Sequence, residues 1–288
     1  MVTRQDHATM LELKARLRSH LTEIARERDP YLAQEGHFYV QQYIRQELAQ
    51  WGNVTTHEFR QQVRTHVNLI LNLPGRNPTK PPILIGAHYD AVPGTPGADD
   101  NASGVAVLLE LARHFATSPA RRSIRLIAFD LEEYGMVGSG EYAQSLFAQQ
   151  EAVRLMLSLE MLGYCRQDAN SQQYPPGLQY LYPNKGNYVA LIGNLATIPD
   201  LIRLSFAMRR AGVPSQWLPA GQRGQIVQAT RLSDHAPFWD RGYRAIMVTD
   251  TAFMRNPHYH QPSDRIETLD LDFMAAACQG LAIGLRNL

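Results

Sequence analysis

The chain of 288 residues has only two cysteines, Cys165 and Cys278, and they form no Cys-x-x-Cys pair. That excludes a zinc knuckle and a disulfide framework, and leaves two free, buried thiols as the expectation. Net charge is almost absent: a formal +1 provides no electrostatic footprint for nucleic acid or for a strongly acidic partner. No apolar run approaches the roughly 20 residues needed to cross a bilayer, so no membrane partner is expected. Residues 1–7 lack the apolar core of a secretory signal, which makes a cytoplasmic protein the expectation. Two catalytic signatures are missing as well. No Gly-x-Ser-x-Gly elbow occurs, which disfavours a serine hydrolase. Gly221-Gln222-Arg223-Gly224 lacks the Lys-Ser/Thr end of a phosphate-binding loop, which disfavours a nucleotide enzyme.

What remains is a chain that is 44% apolar and 19% charged, suited to one sizeable core. Leu11, Leu13, Leu17, Leu21 and Ile24 recur at helical spacing and predict a helix over 10–28, stopped by Asp29-Pro30. A second helix is predicted over 34–50, with Phe38, Val40, Tyr43, Ile44 and Leu48 available for the core. Val54–Phe59 and His66–Leu73 read as a hairpin at a sheet edge. His57 and His66, within it, are far from any motif and read as structural or exposed.

From residue 82 onward strands and helices alternate without a repeat or linker. Strands are predicted at 83–86, 123–129, 153–159, 188–192 and 245–249, and helices over 101–117, from 138, over 199–210 and over 271–285. Residues 165–187 read as a long irregular excursion, with a short strand at Leu178–Tyr182, and 221–225 as a loop. The expected fold is a single α/β domain over 1–288, a mixed β-sheet flanked by helices on both faces. Residues 1–52 form helices packing on that α/β core.

Four polar segments border the strands. They are His88-Tyr89-Asp90 with Asp99-Asp100, Glu132-Glu133, Glu160, and His258-Tyr259-His260. Open α/β sheets place their chemistry in the crevice at strand ends. Collecting imidazoles and several carboxylates at one rim is expensive without a counter-charge, and a pair of divalent ions supplies it. This ligand mixture suits zinc, while cobalt or manganese takes similar geometry.

These segments resemble the M28 family of zinc-dependent peptidases, which includes bacterial leucyl aminopeptidases. The resemblance covers roughly residues 60–288. It rests on His88-Tyr89-Asp90, Gly97-Ala98-Asp99-Asp100-Asn101-Ala102-Ser103-Gly104, Phe129-Asp130-Leu131-Glu132-Glu133-Tyr134-Gly135, Leu159-Glu160-Met161-Leu162-Gly163-Tyr164, Ser233-Asp234-His235 and Tyr259-His260. It implies an α/β/α sandwich holding two zinc ions, bridged by Asp100. His88 and Glu160 would complete one metal site, Glu133 and His260 the other. Glu160 stands where family members often have Asp. Glu132 would be the general base, Asp90 would hold the second nitrogen of His88, and Tyr259 would stabilise the oxyanion. The peptide after Asp100 would be cis.

The implied activity is an aminopeptidase acting on a peptide or aminoacyl-amide substrate, with Glu132 or Glu160 helping to hold the free amine. Two alternatives differ in class. A glutaminyl cyclase would use one zinc, which the complete five-ligand set argues against. A non-catalytic binding module would have lost a ligand or the base, and all are present. Around the site, Asp99 reads as an exposed neighbour of Asp100 and His258 as a loop residue. Asp234 and His235 either line a pocket or, with Ser233, cap the following helix. Arg231 and the tyrosines of 165–187 are pocket candidates by position.

Overall fold

The computed structural model describes residues 4–288, with side chains from residue 9 onward; Met1–Thr3 and the expectation drawn from 1–7 lie outside these described side chains. Two helices come first, α1 (Arg4–Ile24) and α2 (Gln34–Ala49). A hairpin follows, β1 (Val54–Gln61) and β2 (Arg64–Leu73), paired antiparallel at the sheet edge as the sequence predicts. Then come β3 (Ile83–His88), α3 (Gly104–Thr117), β4 (Ile124–Phe129), α4 (Val137–Ala148) and β5 (Leu155–Glu160). The last part holds β6 (Val189–Asn194), α5 (Ile198–Arg210), β7 (Ser215–Ala220), α6 (His235–Asp240), β8 (Ala245–Thr249) and α7 (Leu271–Leu285).

The eight strands form one sheet in the order β1-β2-β4-β3-β5-β8-β6-β7. The middle four, β4, β3, β5 and β8, run parallel; β2 is antiparallel to both its neighbours, and β6 is antiparallel to β8 but parallel to β7. Four strands therefore end at the same rim, and His88, Asp130, Glu160 and Asp250 stand at or just past those ends.

Strand alternation divides the core in two. Ile83, Ile85 and Ala87 of β3 pack with Leu17 and Leu21 of α1, Val40 of α2, Leu108 of α3 and Leu281 of α7. Leu84, between them, faces Tyr142 of α4 and Phe238 and Trp239 of α6 on the opposite face. Gly86 belongs to this second face by necessity, since a Cβ there would lie 2.3 Å from the Phe129 ring. No helix among the described residues is long and apolar enough to cross a membrane.

Some predicted elements differ. The first helix ends at Ile24 rather than Arg28, and the third begins at Gly104 after a wide turn over Ala98–Ser103. Phe38 is 62% exposed, because the buried face of α2 runs through His37, Val40, Ile44 and Leu48 and Phe38 lies a quarter turn away. Leu178–Tyr182 is no strand; Leu178–Tyr180 forms a single tight turn with Tyr180 and Leu181 exposed. The unpredicted strand β7, Ser215–Ala220, contains Pro219, which an outermost strand tolerates.

Candidate metal centre

His88 ends β3 with 1% of its surface exposed. Its Nε2 lies 3.3 Å from Asp100 Oδ1 and 3.6 Å from Glu160 Oε2. His260 arrives from the loop after β8, and its Nε2 lies 3.1 Å from Asp100 Oδ2 and 3.5 Å from Glu133 Oε2. The two oxygens of Asp100 thus face two different imidazoles. Donor atoms of His88, Asp100 and Glu133 all lie within 4.8 Å of one another, a spacing that can hold a metal ion. Glu160 and His260 extend this core on opposite sides.

The backbone beneath is pinned by carboxylates. Asp264 accepts the Asp99 and Asp100 N–H groups at 2.9 and 3.1 Å, fixing the turn that carries Asp100. The Asp100–Asn101 peptide is cis, as the family resemblance implies. The Asn101 side chain donates to the Leu159 carbonyl, tying this turn to the end of β5. Ser233 donates to Glu160 Oε2 at 2.7 Å. Asp90 meets two partners, the imidazole it is expected to face and the loop bearing the two glutamates. Its carboxylate accepts the Glu132 and Glu133 N–H groups, both at 3.1 Å, while His88 Nδ1 is 3.3 Å from the Asp90 carbonyl and 3.4 Å from Oδ1. The side chain therefore holds the loop bearing the two glutamates, and the imidazole faces both the carbonyl and the carboxylate of Asp90.

Burial and like charge set the electrostatics. Desolvation, then the charge of Asp100, pushes Glu133 up to about 7. Glu132 is raised by burial, reinforced by Glu160, Glu133 and Asp234 against the opposing pull of His88. Burial would also raise Asp100, but the facing imidazoles of His260 and His88 outweigh it and the group is held low. His260 is pushed up to about 10, as Asp100 and Glu133 overcome the lowering effect of burial. Tyr259 stacks on His260 with ring centroids 3.7 Å apart. Burial and the surrounding carboxylates raise its phenol, keeping it protonated.

His88 Nε2, His260 Nε2 and Glu133 Oε1 are buried without a hydrogen-bond partner. Unsatisfied donor atoms converging among carboxylates are what a divalent cation would satisfy, so these residues fit the ions that the sequence implies.

Around this core several sequence readings change. Asp99 is fully buried, not exposed: it accepts from the Gly163 N–H and from Asn256 Nδ2, and burial with Asp250 opposite raises it strongly. Neither Ser233 nor Asp234 caps α6. Asp234 is buried with both carboxylate oxygens unpartnered, and burial pushes it up to about 7. His235 turns inward, its Nε2 2.8 Å from the Thr230 carbonyl and its ring edge-on to Trp239. Arg231 pairs with Asp240. His258 pairs with Ser263, as a loop residue would. Tyr174, Tyr182 and Tyr188 line an apolar recess with Trp217 and Met254, and none of the rim carboxylates or imidazoles takes part in it. Both cysteines are free. Asp264, Asn256 and Ser233 are the supporting residues whose contacts span the fold. Of these, Asp264 has a sequence signal, the spacing Tyr-His-x-x-x-Asp from Tyr259.

Comparison with known proteins bears on the same loops. YfbL, an uncharacterized protein of Escherichia coli K12, is 37% identical over 221 residues, covering 72% of this chain and 67% of that one. Aminopeptidase YwaD of Bacillus subtilis is 32% identical over 200 residues, 68% of this chain but only 38% of its own length. The LapA aminopeptidase of Legionella pneumophila shares the fold, with a TM-score of 0.75 at 22% identity over 100% of this chain and 76% of that one. BSAP, a zinc aminopeptidase from Bacillus subtilis, matches at TM-score 0.56 and 26% identity over 77% of this chain and 50% of its own. The family model for Peptidase family M28 matches residues 68–196 and 206–282, a span that includes every residue of the imidazole–carboxylate core. The chain belongs to peptidase family M28.

Proposed function

We propose that the protein is a dinuclear zinc aminopeptidase. The observation that carries this reading is the bridging posture of Asp100, one oxygen toward His88 and the other toward His260. His88 and Glu160 would hold one ion, Glu133 and His260 the other, and cobalt or manganese suits the same donors. Ions bound there supply Lewis acidity toward a scissile carbonyl and lower the pKa of water.

The chain's own groups do the rest. Glu132, kept basic by its dry and anionic surroundings, takes the proton of the attacking water and passes it to the leaving amine. Asp90, through its two N–H contacts, holds Glu132 and Glu133 in register. Tyr259, protonated and beside His260, donates to the developing oxyanion. A surplus of carboxylates suits a substrate with a free α-ammonium, held by Glu132 or Glu160.

The test is hydrolysis of matched aminoacyl and N-blocked chromogenic amides, with metal content measured on the same sample. Cleavage confined to free-amine substrates, at two zinc per chain, is expected. Cyclisation of an N-terminal glutamine peptide with one zinc would instead favour a cyclase. That fold neighbourhood includes a Bacteroides thetaiotaomicron glutaminyl cyclase, at TM-score 0.70 and 16% identity.

A further inference from the structure

Arg28 lies between the two N-terminal helices, outside the residues matched by the family model, and has no surface exposed to solvent. A buried guanidinium normally meets a carboxylate. This one meets none within ion-pair distance and donates to main-chain carbonyls instead. Its Nε bonds the Tyr89 carbonyl at 2.9 Å, and its Nη2 bonds those of Gly97 at 2.8 Å and Asp100 at 3.2 Å. Its Nη1 reaches the Pro96 carbonyl as well as those of Ile24 and Arg26. Four of the six acceptors belong to the chain between His88 and Asp100.

We propose that Arg28 is a positioning residue of the metal centre, a five-donor clamp that sets the turn carrying Asp100 and thereby the affinity of the bridged ion pair. This rests on the dinuclear reading above. Three further observations support it. Burial lowers the Arg28 guanidinium, and the charges of Asp100, Asp264, Asp90 and Glu133 work against that lowering, so its cation lies within reach of the anionic rim. Gly97 has φ +54°, and a Cβ there would meet the Asp100 carbonyl oxygen at 2.2 Å and both Arg28 Nη atoms at 2.9–3.0 Å, so only glycine lets this turn close onto the guanidinium. The neighbouring segment repeats the pattern: Asp29 accepts from the Tyr134 hydroxyl, and His37 meets Asp130, at the two ends of the loop bearing Glu132 and Glu133. The N-terminal helices are thereby tied to both metal-bearing loops.

Arg28→Lys separates position from charge. It keeps the cation, but three donors on one nitrogen cannot span Tyr89, Pro96 and Gly97 together. Apoprotein of wild type and variant is titrated with zinc, alongside circular dichroism and turnover. The expected result is a folded variant whose weaker zinc dissociation constant rises ten- to a hundredfold, the usual effect of losing a group that orients a ligand, with kcat reduced and KM nearly unchanged. Wild-type zinc affinity in folded Arg28→Lys, whatever its melting temperature, would overturn the clamp and leave only a structural role. If the wild type itself takes one zinc, the dinuclear reading fails, and the clamp is judged on that ion's dissociation constant. If Arg28→Lys does not fold, Arg28→Gln decides: it drops the buried charge, keeps only a short amide donor and should weaken zinc likewise, while wild-type affinity there overturns the proposal.

Discussion

Two buried clusters of imidazole and carboxylate meet the ends of the short run Asp130–Glu133, and they are built on opposite plans. In the first, Asp130 stands alone between two histidines, with Oδ1 2.8 Å from His37 Nε2 and Oδ2 3.1 Å from His66 Nδ1. Its backbone N–H is taken by Asn68 Oδ1. Burial would raise Asp130, but hydrogen bonds from His37 and His66 prevail and hold it low. In the second, His88 and His260 face Asp100, Glu132, Glu133 and Glu160, and both Nε2 atoms remain unpartnered. The residue types are the same. The difference is stoichiometry: the first cluster satisfies itself and acts as a brace, while the second has surplus anions and open nitrogens, the balance that a bound cation would restore.

The contrast is broken most severely at the two adjacent glutamates. Glu132→Gln keeps shape and reach but cannot accept a proton, so zinc content should stay at the wild-type level while turnover at saturating substrate falls by about two to four powers of ten. Glu133→Gln exchanges a charged ligand for a neutral amide, so zinc should bind more weakly and excess zinc should partly restore activity. Zinc loss from Glu132→Gln with full occupancy of Glu133→Gln would reverse the two roles.

In the self-satisfied cluster, Asp130→Ala should cost stability instead. Removing the anion leaves two buried imidazoles without an acceptor, worth about 3 kcal/mol in urea unfolding of the apoprotein, the lower end for breaking a buried pair. Zinc stoichiometry should be unchanged. A variant of wild-type stability would show that the brace bears no load.

A further buried imidazole, His235, sharpens the comparison because it pairs with no carboxylate. Burial pushes His235 down to about 4 from an ordinary 6.5, against the hydrogen bond to the Thr230 carbonyl. The unfolded chain therefore binds the extra proton first, and stability is lost as pH falls below 6.5. Between pH 7 and pH 5 the wild type should lose about 2 kcal/mol more than His235→Leu does. His37 has the opposite sign. Burial lowers it, but Asp130 more than compensates and its pKa is raised, so its contribution is present in acid and fades as pH climbs through its folded value. Equal acid slopes in the wild type and His235→Leu would mean that His235 is hydrated.

What the sequence makes legible in this site is what is local. His88 with Asp90, the Asp99-Asp100 turn, Glu132-Glu133 and Tyr259-His260 are short strings at strand ends, and the sheet order brings them to one rim. The groups that hold them are not local. Arg28 reaches a carbonyl 72 residues away, Asp264 accepts N–H groups 164 and 165 residues away, and Ser233 meets Glu160 across 73. An arginine at a helix end or a serine before a short helix has no periodicity or spacing to announce such a role. Asp99 shows the same limit, since beside Asp100 it looks like a solvated acid and only the fold buries it against Asp250. In the fold, alternation and helical spacing reveal the central elements, and an edge strand with a proline escapes them.

Anomalous scattering at the zinc edge, from crystals of the zinc-loaded protein, reads the central claim directly. Two peaks about 3.5 Å apart are expected, flanking Asp100, one beside His88 and Glu160 and the other beside Glu133 and His260. A single peak held by Asp100, Glu133 and His260 alone, at saturating zinc, would contradict it.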